Sequence, residues 1–450
     1  MKAHSVLWGI LFVIITAGIV QAQDDPSVDV PYVWGHSWGV GARAAGMGGA
    51  YTAVADDYAA IFYNPAGLGQ QKRLEISATI SYLGITERAT FLDVESDVSS
   101  SYTKMNALGI SVPVPTQRGS LVLGFGYHQV RDFERYFIAD RFLSTPYDST
   151  TWEHHSMIEG GLNVTSLGGS MEMAPGLFVG GSVNFWTGKL DDSWKFQEID
   201  EPYNLWTIYD TTSTETIRTE FSGANVTLAM LYRANKMFRL GATIQTPVTL
   251  TANEEWEYYD IKTWDWDTPW ADSAEVATES GRTDYKIRSP WVYRLGGSLN
   301  MGPLLVSGDV EFYNYGQISY RTDPPIAGTT RYDANIEIRE KLRNVLNWSV
   351  GGELTIPGTD VKLRGGYATY PSPWKENTDI QDRKVISLGA GYTFNKQFML
   401  DVAYAFTSWD RTDYYVANSY DNDEYRINPK YVEDGKCETY KVLVSLSYRM

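Results

Sequence analysis

The chain has 450 residues, of which 43% are hydrophobic and 14% aromatic, and its formal net charge is −17. This charge excludes nucleic acid as a partner, because phosphate binding requires a basic face. A single cysteine, Cys437, excludes an internal disulfide, and five histidines leave little for a transition-metal site. We therefore expect no metal and no cofactor.

The first residues predict a secretory signal peptide. A charged start at Lys2 precedes an apolar run at 7–20, and the sequence at 20–22 has the small residues of a cleavage site. The run is shorter than the roughly 20 residues that a membrane-spanning helix needs. No later segment is long and apolar enough to be such a helix. We assign residues 1–22 to the signal and expect the rest to be exported.

Residues 23–72 are predicted to form a compact plug of short helices and turns. Small residues dominate 39–70 and permit close backbone packing, and an aspartate at 56–57 can cap a short helix. Asn64 precedes Pro65 and should end that helix, because the residue before proline avoids helical geometry.

Residues 73–450 repeat one unit, a run of ten or more residues in which apolar and polar side chains alternate. The run that begins at Phe398 places Phe398 and Leu400 on one face and Asp401 on the other. Such alternation is typical of a strand with lipid on one side and a polar lumen on the other. The predicted strands are 73–88, 103–114, 119–132, 157–173, 176–190, 215–233, 237–252, 283–301, 303–316, 336–356, 360–369, 383–394, 397–409 and 438–449.

Short turns and long polar loops alternate between these strands, which places the long loops on one side of the membrane. Lipid offers no hydrogen bonds to an open strand edge, so the sheet must close. We predict an all-β fold, a closed antiparallel transmembrane β-barrel of about 14 strands. A barrel of this size has more interior than its own side chains fill, so the plug should occupy the lumen.

Charged residues recur on the inner face, and some lie at similar distances from a tight turn. Opposed residues on one face of a hairpin have Cβ atoms about 4.5–5.5 Å apart. The predicted lumen ion pairs are Arg294 with Asp309, across the turn at Gly302, and Glu353 with Lys362 or Arg364, across the turn at Gly358.

The plug sequence resembles that of a known family. The segments Gly41-Ala42-Arg43-Ala44-Ala45-Gly46-Met47-Gly48-Gly49-Ala50, Ala53-Val54-Ala55-Asp56-Asp57 and Asn64-Pro65-Ala66-Gly67-Leu68 are similar to the N-terminal hatch of the FadL/TodX transporters of long-chain fatty acids and aromatic hydrocarbons. The resemblance implies a fourteen-stranded barrel in the bacterial outer membrane, with Asn64, Pro65 and Ala66 as the hatch motif. It also implies passive uptake of a hydrophobic compound, such as a long-chain fatty acid, captured at the outer face.

In the family this chain resembles, the third strand kinks inward beside the hatch and opens a lateral window. The third predicted strand carries Gly124 and Gly126 on its inner face, and glycine within a strand permits a bend or a close approach of another backbone. We expect either a lateral window at these glycines or simple room for the plug. The implied partners are outer-membrane lipid, lipopolysaccharide and a hydrophobic ligand, with a monomer as the expected state.

PorV, the barrel that serves type IX secretion, is similar in the same hatch region. The alternative function is therefore a barrel that binds secreted proteins.

Enzyme signatures are weak in this sequence. Gly39-Val40-Gly41-Ala42-Arg43-Ala44 fits a dinucleotide-binding pattern, but no apolar strand precedes it. Glu153-His154-His155 lies in a predicted solvated loop, and there is no G-x-S-x-G motif. We assign no catalytic residue and expect that the protein is not an enzyme.

Overall fold

A computed structural model describes residues 34, 39–91, 94–144, 149–200, 209–264, 274–326, 328–375, 382–415, 418–421, 424–427 and 431–450. The predicted signal peptide lies outside the described residues. We use the name hatch for residues 39–72.

The described residues contain three α-helices and twenty strands. The helices are α1 (Ala42–Gly46), α2 (Ala60–Tyr63) and α3 (Arg331–Lys341), with 3-10 helices at Pro65–Gln70 and Tyr315–Gln317. The strands are β1 (Glu75–Phe91), β2 (Val94–Val114), β3 (Leu121–Asp132), β4 (Arg135–Ser144), β5 (Ser149–Ala174), β6 (Leu177–Asp200), β7 (Tyr209–Arg233), β8 (Phe238–Gln245), β9 (Thr249–Trp264), β10 (Ala274–Arg288), β11 (Val292–Met301), β12 (Leu304–Asn314), β13 (Ser319–Tyr320), β14 (Asn344–Thr355), β15 (Val361–Tyr370), β16 (Arg383–Phe394), β17 (Phe398–Tyr415), β18 (Asn418–Asp421), β19 (Glu424–Ile427) and β20 (Tyr431–Arg449).

The sheet closes into a barrel, because β1 pairs antiparallel with both β2 and β20. Four positions in the wall are each filled by two consecutive strands, namely β3 with β4, β8 with β9, β10 with β11, and β12 with β13, while β18 and β19 form a separate hairpin. Counted this way, the described residues form fourteen wall strands, which confirms the predicted fold. The ends of β1 and β20 meet at Glu75 and Arg449, at the same end of the barrel as the short turns.

The outer surface of the wall is apolar. Large side chains that alternate with buried polar ones are exposed along the strands, among them Ile80, Leu240, Leu295, Leu388 and Leu446. Aromatic pairs flank this band, with Phe398 and Tyr448 near the short turns and Tyr404 and Tyr440 nearer the long loops. An apolar band with aromatic residues at both borders is the surface that a bilayer requires.

Two prolines break neighbouring wall strands at the same height. Pro247 lies between β8 and β9, and Pro290 lies between β10 and β11. Proline cannot donate to a strand ladder, so the predicted continuous strands 237–252 and 283–301 are wrong at these points. Beyond the breaks, Leu250 and Ile287 are buried.

The prediction of a strand over 336–356 is wrong at its start. Residues up to Lys341 belong to α3, whose Thr330 side chain accepts from the backbone N–H of Asp333, and the strand begins at Asn344. Ile336 and Ile338 alternate with charged residues and so favour a strand, but Ala334 and Ile338, four apart, are the buried positions.

Strands also extend through much of the predicted loops. The loops predicted at 133–156, 191–214 and 253–282 contain all of β4 and long parts of β5, β6, β7, β9 and β10. One side of the barrel wall therefore rises well above the other. Among the described residues, no helix has the length and apolar character needed to cross a membrane.

The interior is filled in two layers. Near the short turns, the hatch buries Met47, Tyr51 and Leu68 against the wall. Toward the long loops, a second apolar cluster joins α3 to the inward-facing residues of the broken strands, including Ile338, Leu250 and Phe133.

Candidate functional site: hatch, cavities and an open seam

The motif Asn64-Pro65-Ala66 anchors the hatch to the wall. The Asn64 side chain is fully buried, accepts from the N–H of Ala66 at 3.1 Å and donates to the carbonyls of Thr52 at 2.8 Å and Met230 at 3.2 Å. Asn64 caps the 3-10 helix at Pro65–Gln70. Pro65 is its first residue, a position where a backbone N–H would have no partner within the helix. Both N–H donors and the oxygen of one amide thus hold the turn and tie it to β7.

Glycine in the wall lets the hatch backbone come close. A Cβ at Gly351 or Gly366 would overlap the backbone at Met47 and Gly48, and a Cβ at Gly180 would overlap Ala66. Close approach of another backbone is one reason for glycine within a strand. The hatch is therefore in direct backbone contact with three wall strands.

Buried ion pairs hold the other side of the hatch. Arg43 donates from Nε to Glu353 on β14 at 2.8 Å and pairs with Asp56 in the hatch at 2.5 Å. Asp56 also approaches Arg239 on β8 at 3.4 Å. Burial would raise the pKa of the Asp56 carboxyl, but Arg43 and Arg239 outweigh it and hold that pKa below its ordinary value. The pairs consequently persist in mildly acidic medium.

The two predicted Glu353 pairs are present. Lys362 lies 2.9 Å and Arg364 2.8 Å from the Glu353 carboxylate, and Arg364 also pairs with Asp401 at 2.7 Å. Arg43 from the hatch completes the set, so Glu353 joins the hatch to the wall.

The predicted pair of Arg294 with Asp309 is wrong. The turn at Gly302 sets Arg294 opposite Glu311 and Asp309 opposite Gly296, and Arg294 donates to Glu311. Asp309 instead accepts from two hatch N–H groups, those of Tyr51 at 2.8 Å and Thr52 at 2.7 Å. Both backbone groups donate to Oδ2, while Oδ1 is buried without a hydrogen-bond partner among the described residues.

Above the hatch lies a cavity of about 370 Å3. Its floor includes Gly49, Thr52 and Tyr63 of the hatch, and its walls carry both aromatic and charged side chains. Tyr313 and Tyr315 stack with ring centroids 5.5 Å apart, and Arg383 lies 4.2 Å from the ring centre of Trp409. The volume falls in the range of small-molecule sites.

A smaller cavity of about 80 Å3 adjoins the larger one. The two share Phe62, Arg131, Arg294 and Tyr313 in their linings. Phe62 of the hatch therefore stands at the boundary between them.

The wall has an open seam beside the third strand. β3 pairs with β2 only from Leu121 to His128, while it continues to pair with β5 as far as Asp132. A register shift between Gln129 and Arg131 marks a bulge, and β3 ends at Asp132 before β4 resumes. In the described part of the chain, residues 94–105 of β2 pair only with β1.

This seam lies beyond the glycines chosen from the sequence. Gly124 and Gly126 pair with both β2 and β5, so the wall is closed where they stand. A Cβ at Gly124 would crowd Leu68 and Ile61 of the hatch, and a Cβ at Gly126 would overlap His128. Of the two expectations for these glycines, the packing geometry agrees with room for the plug.

Charged side chains bridge the seam. Lys104 of β2 pairs with Glu134 and donates to the carbonyl of Gly160 on β5 at 2.8 Å. Lys441 of β20 pairs with Asp132 at 2.8 Å. Asp132 and Glu134 also line the large cavity. The cavity and the seam are thus separated by ion pairs and not by continuous sheet.

Sequence reasoning did not identify Arg43, Lys104, Asp132 or Glu134. Alternation can place Lys104 on the inner face, but its partners follow a bulge and a strand break that the pattern does not reveal. Arg43 lies in the segment Gly41–Ala50, which carries part of the family resemblance, and only the fold shows that it faces Glu353.

The sequence also matches a family profile. Residues 227–449 match the family described as outer membrane protein transport protein (OMPP1/FadL/TodX). This match covers just under half of the chain, and the matched family is one of outer-membrane transport proteins. The match and the closed barrel together identify a bacterial outer-membrane protein.

Solved structures share the fold. The P. putida toluene transporter TodX is similar with a TM-score of 0.64 and 14% identity, covering 92% of this chain and 99% of its own. A Pseudomonas aeruginosa FadL homologue gives 0.60 and 13%, covering 91% and 98%. The CymD monoaromatic hydrocarbon channel gives 0.55 and 13%, covering 92% and 98%. No curated protein sequence matches the chain.

Proposed function

We propose that this protein is a passive channel for hydrophobic compounds such as long-chain fatty acids. The compound enters from the outer face, occupies the large cavity above the hatch and leaves sideways into the membrane through the seam between β2 and β3. The observation that carries the proposal is a cavity of about 370 Å3 whose floor is the hatch and whose side is an unpaired stretch of wall.

The hatch contacts support release through the side. Displacing the hatch toward the short turns would separate Arg43 from Glu353 and Tyr51 from Asp309. Removing one partner from a buried ion pair costs about 3–5 kcal/mol. Opening the seam requires no backbone ladder to be broken, because among the described residues this part of β2 pairs with β1 on one edge and with no strand on the other.

The cavity lining supports an amphipathic cargo. Aromatic rings provide an apolar contact surface, and arginines and carboxylates alternate among them. An acyl chain can lie along the rings while a polar head group meets the charged wall. The named relatives carry toluene and monoaromatic hydrocarbons, so compact aromatic compounds belong in the same test.

Uptake by a Gram-negative host without its own fatty-acid transporter tests the function. We expect expression of the full chain to restore uptake of radiolabelled oleic acid, of toluene or of both. Ser349 lines the large cavity and Val350 points outward on the same strand. Ser349→Trp should lower uptake to about a tenth or less by filling the cavity.

Val350→Trp is the matched control. It should retain uptake, because its side chain faces the membrane and tryptophan is common on membrane-facing surfaces near the interface. Uptake of neither compound by the wild type would overturn the proposal. Equal uptake by both variants would remove the large cavity from the route.

A further inference from the structure

His128 is the last residue of β3 to pair with β2 before the seam opens. Its backbone lies opposite Ala107 of β2 and Val164 of β5, and its side chain faces the hatch. The residue is fully buried, with no exposed surface. It therefore stands where the closed wall, the hatch and the seam meet.

The imidazole of His128 has no hydrogen-bond partner among the described residues. Neither Nδ1 nor Nε2 is satisfied. The ring instead contacts Phe62, with centroids 5.5 Å apart, and it fills the space that a side chain at Gly126 would need. A buried polar group without a partner costs about 1–3 kcal/mol, and such groups are rare in native proteins.

The residues around His128 line the smaller cavity. Val130 lies two residues along the same strand and Val164 lies opposite, while Ile61 and Phe62 contact or flank the ring from the hatch. All four belong to the lining of the 80 Å3 space. The ring is thus one side chain removed from the smaller cavity, and Phe62 separates it from the larger one.

We propose that His128 is a specificity-determining residue that binds the polar head group of the transported compound. A neutral imidazole offers one N–H donor and one acceptor nitrogen. A carboxylic acid or hydroxyl group can use both, and a bare hydrocarbon can use neither. The inference rests on the proposed function and deepens it, since it assigns hydrophobic molecules with one hydrogen-bonding group as the favoured cargo.

Movement of one side chain is enough to make the contact. Phe62 borders both cavities, so rotation of its ring joins the imidazole to the space that holds the cargo. The acyl or aromatic part stays in the larger cavity, where the stacked tyrosines lie. The head group then lies beside β3 at the lower end of the seam.

The test compares two compounds that differ only in the head group. Radiolabelled palmitic acid and hexadecane are offered to cells that express the full-length protein or one of three variants. His128→Phe removes both hydrogen-bonding nitrogens, and His128→Gln keeps a donor and an acceptor. Thr243→Val is the matched control, because the Thr243 hydroxyl is also buried without a partner and outside both cavity linings, but it lies on β8, away from the seam.

We expect His128→Phe to lower palmitic acid uptake by about tenfold, the loss of one to two hydrogen bonds, and to leave hexadecane uptake unchanged. His128→Gln should recover part of the palmitic acid rate, and Thr243→Val should change neither rate. An unchanged ratio of the two rates in His128→Phe, whether both fall or both stay, would overturn the assignment of His128.

The proposed function fails by a different result. Wild-type cells that take up neither palmitic acid nor hexadecane would contradict transport itself. Wild-type uptake with an unchanged ratio in His128→Phe would contradict only the head-group site. Heat resistance of the folded barrel in detergent, measured for each variant, identifies a His128→Phe protein that failed to fold. In that case the ratio of palmitic acid to hexadecane uptake by His128→Gln tests the head-group site.

Discussion

The two halves of the lumen are built differently. Near the short turns, the wall strands pair without interruption and the hatch is tied to them by the Asn64 amide, the Arg43 ion pairs and the Asp309 carboxylate. Toward the long loops, four of the fourteen described wall strand positions break, and the interior holds cavities and an apolar cluster. Under the proposed function, the half near the short turns closes the channel and the half near the long loops lets the cargo pass.

Removing the hatch should have the largest effect on this division. We expect deletion of 39–70 to leave a barrel that inserts and conducts small ions, because the hatch fills an interior that the wall alone leaves open. Conductance in planar bilayers measures it, with the wild type as the closed reference. If the deletion variant conducts no more than the wild type, the half of the lumen near the long loops provides the barrier.

A matched pair of lumen carboxylates separates hatch anchoring from wall pairing. Glu353→Ala removes the partner of Arg43, Lys362 and Arg364 and should weaken hatch attachment by about 3–5 kcal/mol. We expect frequent channel openings in planar bilayers. Glu311→Ala should remain closed, because Glu311 accepts hydrogen bonds from Arg294 and Asn347, which both belong to the wall. Equal leakage from both variants would contradict the anchoring role of Glu353.

Two adjacent glycines on β15 test the backbone contact of the hatch. A Cβ at Gly366 would overlap Met47 and Gly48, while a Cβ at Gly365 would meet only ordinary contacts. Overpacking a tight interior costs about 1–3 kcal/mol, so Gly366→Ala should lower the melting temperature and Gly365→Ala should not. Thermal unfolding followed by circular dichroism in detergent provides the comparison. Indistinguishable melting curves would show that the hatch moves away at little cost.

An exposed ion pair on the tall side of the wall should have the smallest effect. Arg218 and Asp191 lie 2.8 Å apart on β7 and β6, but the Arg218 side chain is 61% exposed. Surface pairs contribute about 0–1 kcal/mol, so Arg218→Ala should change neither melting temperature nor conductance measurably. An effect as large as that of Glu353→Ala would contradict the distinction between the two halves.

The strand pattern predicts the barrel well because alternation reports the two faces of the wall directly. It predicts the Glu353 pairs for the same reason, since residues near a tight turn have little freedom of register. The predicted pair of Arg294 with Asp309 was wrong by two residues. The two-residue turn at Gly302-Pro303 sets a register in which Arg294 lies opposite Glu311. The α3 segment failed because Ile336 and Ile338 fit both a strand and a helix.

The seam could not be predicted from the glycines of the third strand. Gly124 and Gly126 make room for hatch side chains and for His128, and the break follows at Phe133 and Glu134. Neither residue restricts the backbone as proline does, so the sequence at this point does not indicate a strand break. The ion pairs across the seam depend on which strands meet there, and only the three-dimensional arrangement supplies that information.

The central claim is that cargo leaves through the seam beside β2, and a reversible cross-link across it is the most direct test. Lys104 and Glu134 form an ion pair across the seam, so cysteines at both positions accept a short thiol-reactive, reducible linker. Cys437→Ser in the same chain confines the reaction to the new thiols. The control places cysteines at Gln197 and Thr212, which contact each other across the continuous β6 and β7 ladder.

We predict that linking positions 104 and 134 stops oleic acid uptake, that reduction restores it, and that linking positions 197 and 212 has no effect. Undiminished uptake by protein that is fully linked across the seam would contradict lateral release.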